Sequence, residues 1–178
     1  MVSNKRTKKS NKKSNTVIGK KSVIINLQNC MSRFNSKGHG PCNQSEMDQL
    51  STEINNDPTN VVVDLSTCNT LFSEHVIIDH INACKKMTSL CVNGFPEIWL
   101  FPQFLQRINE RNNILNLTII SSNLMAQHIF PILRECKKIK EFKIIGPPDS
   151  YVSALHTAVN ESLDTPLTLI INENSFII

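Results

Sequence analysis

Glycine is scarce, at five in 178 residues. None falls in a G-x-G-x-x-G or G-x-x-x-x-G-K-[ST] pattern. Those turns need glycine so that backbone N–H groups can approach a phosphate, and without them that mode of nucleotide binding is excluded. No apolar run comes near the roughly 18 residues of a membrane-spanning helix. The six cysteines include no Cys-x-x-Cys pair, and neither Cys30/Cys42 nor Cys84/Cys91 has zinc-finger spacing. No G-x-S-x-G surrounds any serine. No aromatic residue occurs in the first 33 positions and no acidic residue before Glu46.

The last absence splits the chain. Ten basic residues precede Glu46, whereas residues 46–178 carry nine Lys/Arg against fifteen Asp/Glu, a net of −6. The overall +4 therefore describes neither part. Residues 1–21 are Lys, Ser and Asn with little to bury, so disorder is expected there. The N-terminal charges are followed by no apolar segment of the secretory kind, so the cysteines are expected to be free thiols of an intracellular protein, cytoplasmic or nuclear. The acid-free, Ser-rich start also suits a mitochondrial presequence, but its nearly all-Lys cations and lack of an apolar face count against that.

Ser22–Gln28 is the first strand-like run, and 34–43 reads as a loop. Ser45–Asn55 has helical spacing, with Met47, Leu50 and Ile54 on one face and Ser45 as N-cap. The chain then repeats itself. Ile81-Asn-Ala-Cys84-Lys-Lys-Met87-Thr-Ser-Leu90 aligns with Ile108 to Leu117 and with Leu133-Arg-Glu-Cys136-Lys-Lys-Ile139-Lys-Glu-Phe142. The first apolar residue of each strand is placed at 63, 90, 117, 142 and 169, giving intervals of 27, 27, 25 and 27. Between strands lie helical patterns: Val76/Ile77/Ile81, Phe104/Leu105/Ile108, Ile129/Ile132/Leu133 and Val152/Leu155/Val159. Such a period marks stacked supersecondary units, none of which can bury its apolar face alone.

These units resemble leucine-rich repeats of the ribonuclease-inhibitor type. The resemblance rests on Val63-Asp-Leu65-Ser-Thr-Cys68 as strand and following Cys, and on Ile81 to Leu90 as helix end and next strand. It covers about residues 60–172. Ile25-Asn-Leu27-Gln-Asn-Cys30 looks like a degenerate first unit, 38 residues before its successor. The resemblance implies a short α/β solenoid, with parallel strands on a concave face and helices on a convex one. Its irregular first unit would span 22–60 and its repeats 61–178, behind the basic tail 1–21. Ser121/Ser122 and Pro147/Pro148 depart from the family's Asn/Cys ladder, which weakens the expected satisfaction of the turns. A second resemblance is to the STAS fold of anti-sigma-factor antagonists, carried by Thr59–Ser66 with Phe72-Ser73 and by Ile144–Asp149. It implies a regulatory switch phosphorylated near Ser73, although Glu74-His75 stands where that family has glycine.

No catalytic constellation, cofactor motif or metal cluster emerges. His75 and His80 are five apart, which sets their rings about 140° apart on a helix and makes a shared metal ion unfavourable. In the solenoid reading, the residues beside the inward apolar pairs face a partner protein: Asp64, Cys91, Asn93, Thr118, Ile120, Lys143, Ile145 and Ile170. The N-terminal half of that face is expected to be polar. Ile120, Ile145 and Ile170 are expected in one row, either as an exposed interaction stripe or covered by Phe176-Ile177-Ile178. Trp99 is expected to pack under the convex helices, with a partner-binding edge as the alternative. The tail residues Lys5, Arg6, Lys8, Lys9, Lys12 and Lys13 suit nucleic acid, an import receptor or simple solubility. The resulting expectation is a non-catalytic interaction scaffold without a membrane span.

Overall fold

The computed structural model describes residues 22–26, 52–66, 74–162 and 166–177. The elements are β1 (Ser22–Asn26), β2 (Asn60–Asp64), α1 (Glu74–Ala83), β3 (Ser89–Asn93), α2 (Phe101–Gln106), β4 (Asn116–Ile120), α3 (Ala126–Glu135), β5 (Glu141–Ile145), α4 (Asp149–Glu161), β6 (Thr168–Ile171) and β7 (Asn174–Ile177). Short 3₁₀ turns at Ile98–Leu100 and Arg111–Asn113 flank α2. The fold is α/β, with a seven-stranded sheet in the order of the chain, β1 to β7. All neighbours are parallel except β6 and β7.

The strands form because β-branched and aliphatic residues alternate with polar ones. In β2 to β5 every second residue is buried and its neighbours are half-exposed. Parallel neighbours need crossovers, and crossovers of one hand place the helices on one side of the sheet. There α2 packs on α3 and α3 on α4. The core lies between them and the covered sheet face, built from Val61, Val63, Leu90, Val92, Leu117, Ile119, Phe142 and Ile144 below and Ile77, Ile81, Phe104, Leu105, Ile129, Ile132, Leu155 and Val159 above. Phe95, Phe101 and Phe104 form an aromatic cluster, with ring centroids 5.1 to 5.8 Å apart.

Each unit is tied to the next at corresponding places. The Thr59 carbonyl accepts from Thr88 and Ser89, that of Thr88 from Leu115 and Asn116, and that of Leu115 from Lys140 and Glu141. Side chains near helix ends also reach one unit ahead. Asp57 accepts from the Lys86 N–H, Asn82 accepts from the Asn109 N–H, and Gln106 donates to Glu135. Gly94 is required by a close approach. Its φ is +69°, and an added Cβ would lie 2.6 Å from the Ser66 Cα.

The register revises the repeat phase. Val61, not Val63, pairs with Leu90, so the first interval is 29 residues. The 38-residue interval between Ile25 and Val63 stands as strand partners. Trp99 is not under the helices: it is 62% exposed, while Ile98 and Phe101 on either side are buried. A 3₁₀ turn has three residues per turn, so Ile98 and Phe101 face the same way and Trp99 faces out. Phe176 and Ile177 do not cover the open face, and Ile178 lies outside the described residues. Residues Asn174–Ile177 add an antiparallel edge strand, with Phe176 against the His156 ring at 4.8 Å and Ile177 exposed. Of the expected helix Ser45–Asn55, residues 52–55 are described and helical, and Ile54 is buried. No described helix is long and apolar enough to cross a membrane. The tail 1–21, with Lys5, Arg6, Lys8, Lys9, Lys12 and Lys13, lies outside the described residues, as do Ser45, Cys68 and Ser73.

Candidate functional site

Among the described residues, the sheet has one face against the helices and one free of them. Period-two alternation puts Asp64, Cys91, Asn93, Thr118, Ile120, Lys143, Ile145 and Ile170 on the free face, all half-exposed. Register sorts them into rows across the strands. The middle row runs Ile24, Val62, Cys91, Thr118, Lys143, Ile170. The row nearer the strand C-termini runs Asp64, Asn93, Ile120, Ile145. The row nearer the N-termini runs Asn60, Ser89, Asn116, Glu141, Thr168.

Two expectations change. Ile120 and Ile145 are partners, but Ile170 pairs with Lys143, so the three isoleucines do not share a row. Ile170 is one residue after the inward Leu169, whereas Ile145 is three after the inward Phe142, which places them one rung apart. The first half of the face is not wholly polar either: Ile24 is 60% exposed and Val62 half-exposed beside it. Apolar side chains therefore stand at both ends of the middle row, with Cys91, Thr118 and Lys143 between them.

Polar contacts fix the rim. Asp64 Oδ1 accepts from Asn93 Nδ2 at 3.0 Å, from the Ser66 hydroxyl at 2.7 Å and from the Ser66 N–H at 3.1 Å. The Ser66 hydroxyl, and then the Ser66 N–H and Asn93, hold the Asp64 carboxyl below its ordinary pKa against the effect of burial. Burial raises the Cys91 thiol pKa and Asp64 adds to this, whereas Lys143 opposes it. Asn172, at φ 53°, makes the two-residue turn from β6 to β7, where asparagine tolerates a left-handed backbone. Its Oδ1 accepts from the Gly146 N–H at 2.9 Å, and its Nδ2 donates to the Pro147 carbonyl at 3.3 Å. Ser121 Oγ accepts from the Asn123 N–H at 3.2 Å. Side-chain acceptors, one local and one from 26 residues away, thus satisfy backbone N–H groups in these turns. Lys143, Ile145, Gly146 and Asn172 line a shallow groove of about 630 Å³ at the C-terminal end of β5.

Sequence reasoning does not find Ile24, Val62 or the capping role of Asn172. The isolated aliphatics carry no motif, and the Asn172 contact spans 26 residues. In the sequence the Cys-Lys-Lys triplets serve only as phase markers. Their cysteines, Cys84 and Cys136, are buried free thiols whose pKa values burial pushes up to about 11 and about 12. His80 is partly buried, with Nε2 unpaired, and desolvation lowers its pKa despite Asp79. Among the described residues no group of three or more His, Cys, Asp or Glu side chains is placed to hold a metal ion.

The chain matches no family model, no curated protein and no solved structure.

Proposed function

We propose that the chain is a short leucine-rich-repeat-like solenoid that works as a non-catalytic interaction scaffold, with a partner protein seated on the free sheet face. The observation that carries this reading is the face itself. Five consecutive parallel strands from β2 to β6 present aligned rows that no described helix covers. Strands that neighbour one another in chain order, joined by the same backbone and side-chain links at successive units, support the repeat architecture. Its middle row combines half-exposed aliphatic ends with a polar centre, which suits a protein surface of mixed character.

Photo-crosslinking in native cells from position 143, with position 127 on α3 as control, tests the proposal. A crosslinked protein is expected from 143 and not from 127. It should disappear in Ile145→Asp while the circular dichroism of that variant stays native. Equal crosslinking from both positions, or unfolding of Ile145→Asp, contradicts the reading.

A further inference from the structure

Six large apolar side chains are exposed among the described residues, and three of them fall into phase: Trp99, Met125 and Tyr151. Each step between them is 26 residues, close to the interval between strands. Asn93, Ile120 and Ile145, which end β3, β4 and β5, are register partners. The three exposed residues follow those strand ends by 6, 5 and 6 positions. They therefore occupy one place in three successive units, where the chain turns from a strand into the helical layer.

Local structure asks for none of them. Met125 is the N-cap of α3, a position that favours Ser, Thr, Asp or Asn. Trp99 faces out of its 3₁₀ turn, and Tyr151 is exposed in the first turn of α4. Leu100 and Val152 beside them are only partly buried against the core, so the row has apolar shoulders. An exposed apolar row of this kind marks an interaction surface.

The surrounding charge selects what binds there. Residues 94–103, 121–130, 146–153 and 172–174 contain no Lys or Arg and carry Glu97, Asp149 and Glu173. All three acids are exposed and form no ion pair among the described residues. Asp149 complements the dipole at the start of α4. Glu97 makes no capping bond, and Glu173 lies in the turn between β6 and β7, so neither has that role. Asp64 at the end of β2 adds a fourth acid, held by Ser66 and Asn93. His128 adds little positive charge, since desolvation lowers its pKa and its Nδ1 accepts from the Met125 N–H. On these units the cations nearest in sequence are Arg107 and Arg134, at the far ends of α2 and α3, and Lys143, on the free sheet face. The acids repel nucleic acid and anionic lipid and attract Lys and Arg.

Spacing selects the shape of the partner. The row crosses α2, α3 and α4, which pack side by side. Packed helices stand about 8–10 Å apart, and seven residues of a helix rise about 10.5 Å. One face of an extended strand repeats about every 6.7 Å, which falls out of step with the row. We infer that Trp99, Met125 and Tyr151 dock one amphipathic helix of a partner protein, with large apolar residues on a seven-residue repeat and Lys or Arg along its flanks. This inference is independent of the partner proposed for the free sheet face, since it uses different residues.

The experiment is fluorescence anisotropy with a labelled peptide of three heptads, Leu at the first and fourth position of each and Lys or Gln elsewhere, titrated with the full chain in 150 mM KCl. A second peptide has Glu in place of every Lys. The Lys peptide should bind and the Glu peptide should not. Trp99→Ala should weaken binding at least tenfold, and Met125→Ala and Tyr151→Ala at least threefold each. Glu97→Gln combined with Asp149→Asn should weaken it about threefold and flatten its salt dependence. Ile145→Asp, on the free sheet face, should leave it unchanged. Circular dichroism of the three Ala variants is expected to stay native, because the residues replaced are exposed; if one variant unfolds, the other two decide. Any of five results overturns the inference: no binding of the Lys peptide at 100 μM protein, equal binding of the Glu peptide, equal affinity in all three Ala variants, Trp99-dependent binding to phosphatidylcholine vesicles, or a dimer of the chain that dissociates in Trp99→Ala, which puts a second copy on the row. Loss of peptide binding in Ile145→Asp but not in Trp99→Ala also overturns it, and places the peptide on the sheet face instead.

Discussion

Asn93 donates from Nδ2 to Asp64 Oδ1 at 3.0 Å, across two strands in which these residues are direct partners. The same oxygen takes both the hydroxyl and the N–H of Ser66, so one carboxylate closes the turn after β2 and ties it to β3. Asp64→Ala should destabilise the fold by about 1 kcal/mol, measured by urea unfolding at pH 7. The folded carboxyl is held below its ordinary pKa. Its contribution is therefore complete above the ordinary carboxylate pKa and lost as pH falls through the lowered value. The gap between wild type and Asp64→Ala should accordingly close in acid.

Two histidines give a separate pH dependence at milder acidity. Desolvation lowers the pKa of both His80 and His128 below 6.5. His128 Nδ1 accepts from the Met125 N–H at 3.1 Å at the start of α3, a bond that needs the neutral ring. As pH falls below 6.5 the unfolded chain takes up these protons first, so stability declines from there and is flat above it. Thermal melts from pH 8 to 5 check this, and His128→Gln should flatten part of the decline.

The thiols sort by position. At pH 8 iodoacetamide should modify Cys91, which is half-exposed on the free face, before Cys84 and Cys136, which are buried with pKa values raised to about 11 and about 12. Peptide mass spectrometry over a time course reads the order, and full denaturation should equalise the three.

Two aromatic residues close in sequence should behave in opposite ways. Phe104→Ala empties a fully buried position in the aromatic cluster and should cost about 3–5 kcal/mol. Trp99→Ala, at an exposed position, should stay within about 0.5 kcal/mol of wild type. Urea midpoints for the two variants test the placement directly.

Much of the fold is legible in the chain. Alternation in β3 to β5 shows which residues face the helices, and the helical spacing of Phe104/Leu105/Ile108 and Ile129/Ile132/Leu133 marks the covering layer, every one of them buried. The rung is not legible. Asn60-Val-Val-Val-Asp-Leu65 is apolar over most of its length, and a slip of two residues leaves every side chain on its own face. Val63 can therefore stand in for Val61, and Ile170 can be aligned with Ile145, without disturbing the alternation. Trp99 is misplaced by the sequence for a related reason: helical periodicity does not extend over a 3₁₀ turn.

The repeat architecture underlies the proposed scaffold, and deleting one unit tests it most directly. Leu117 and Phe142 are register partners, so removing residues 117–141 joins Asn116 to Phe142 and takes out one strand-plus-helix unit. A stacked array predicts a chain that keeps α/β circular dichroism and unfolds in a single, less stable cooperative transition. Loss of that cooperative transition, with the spectrum of an unfolded chain, would contradict the account.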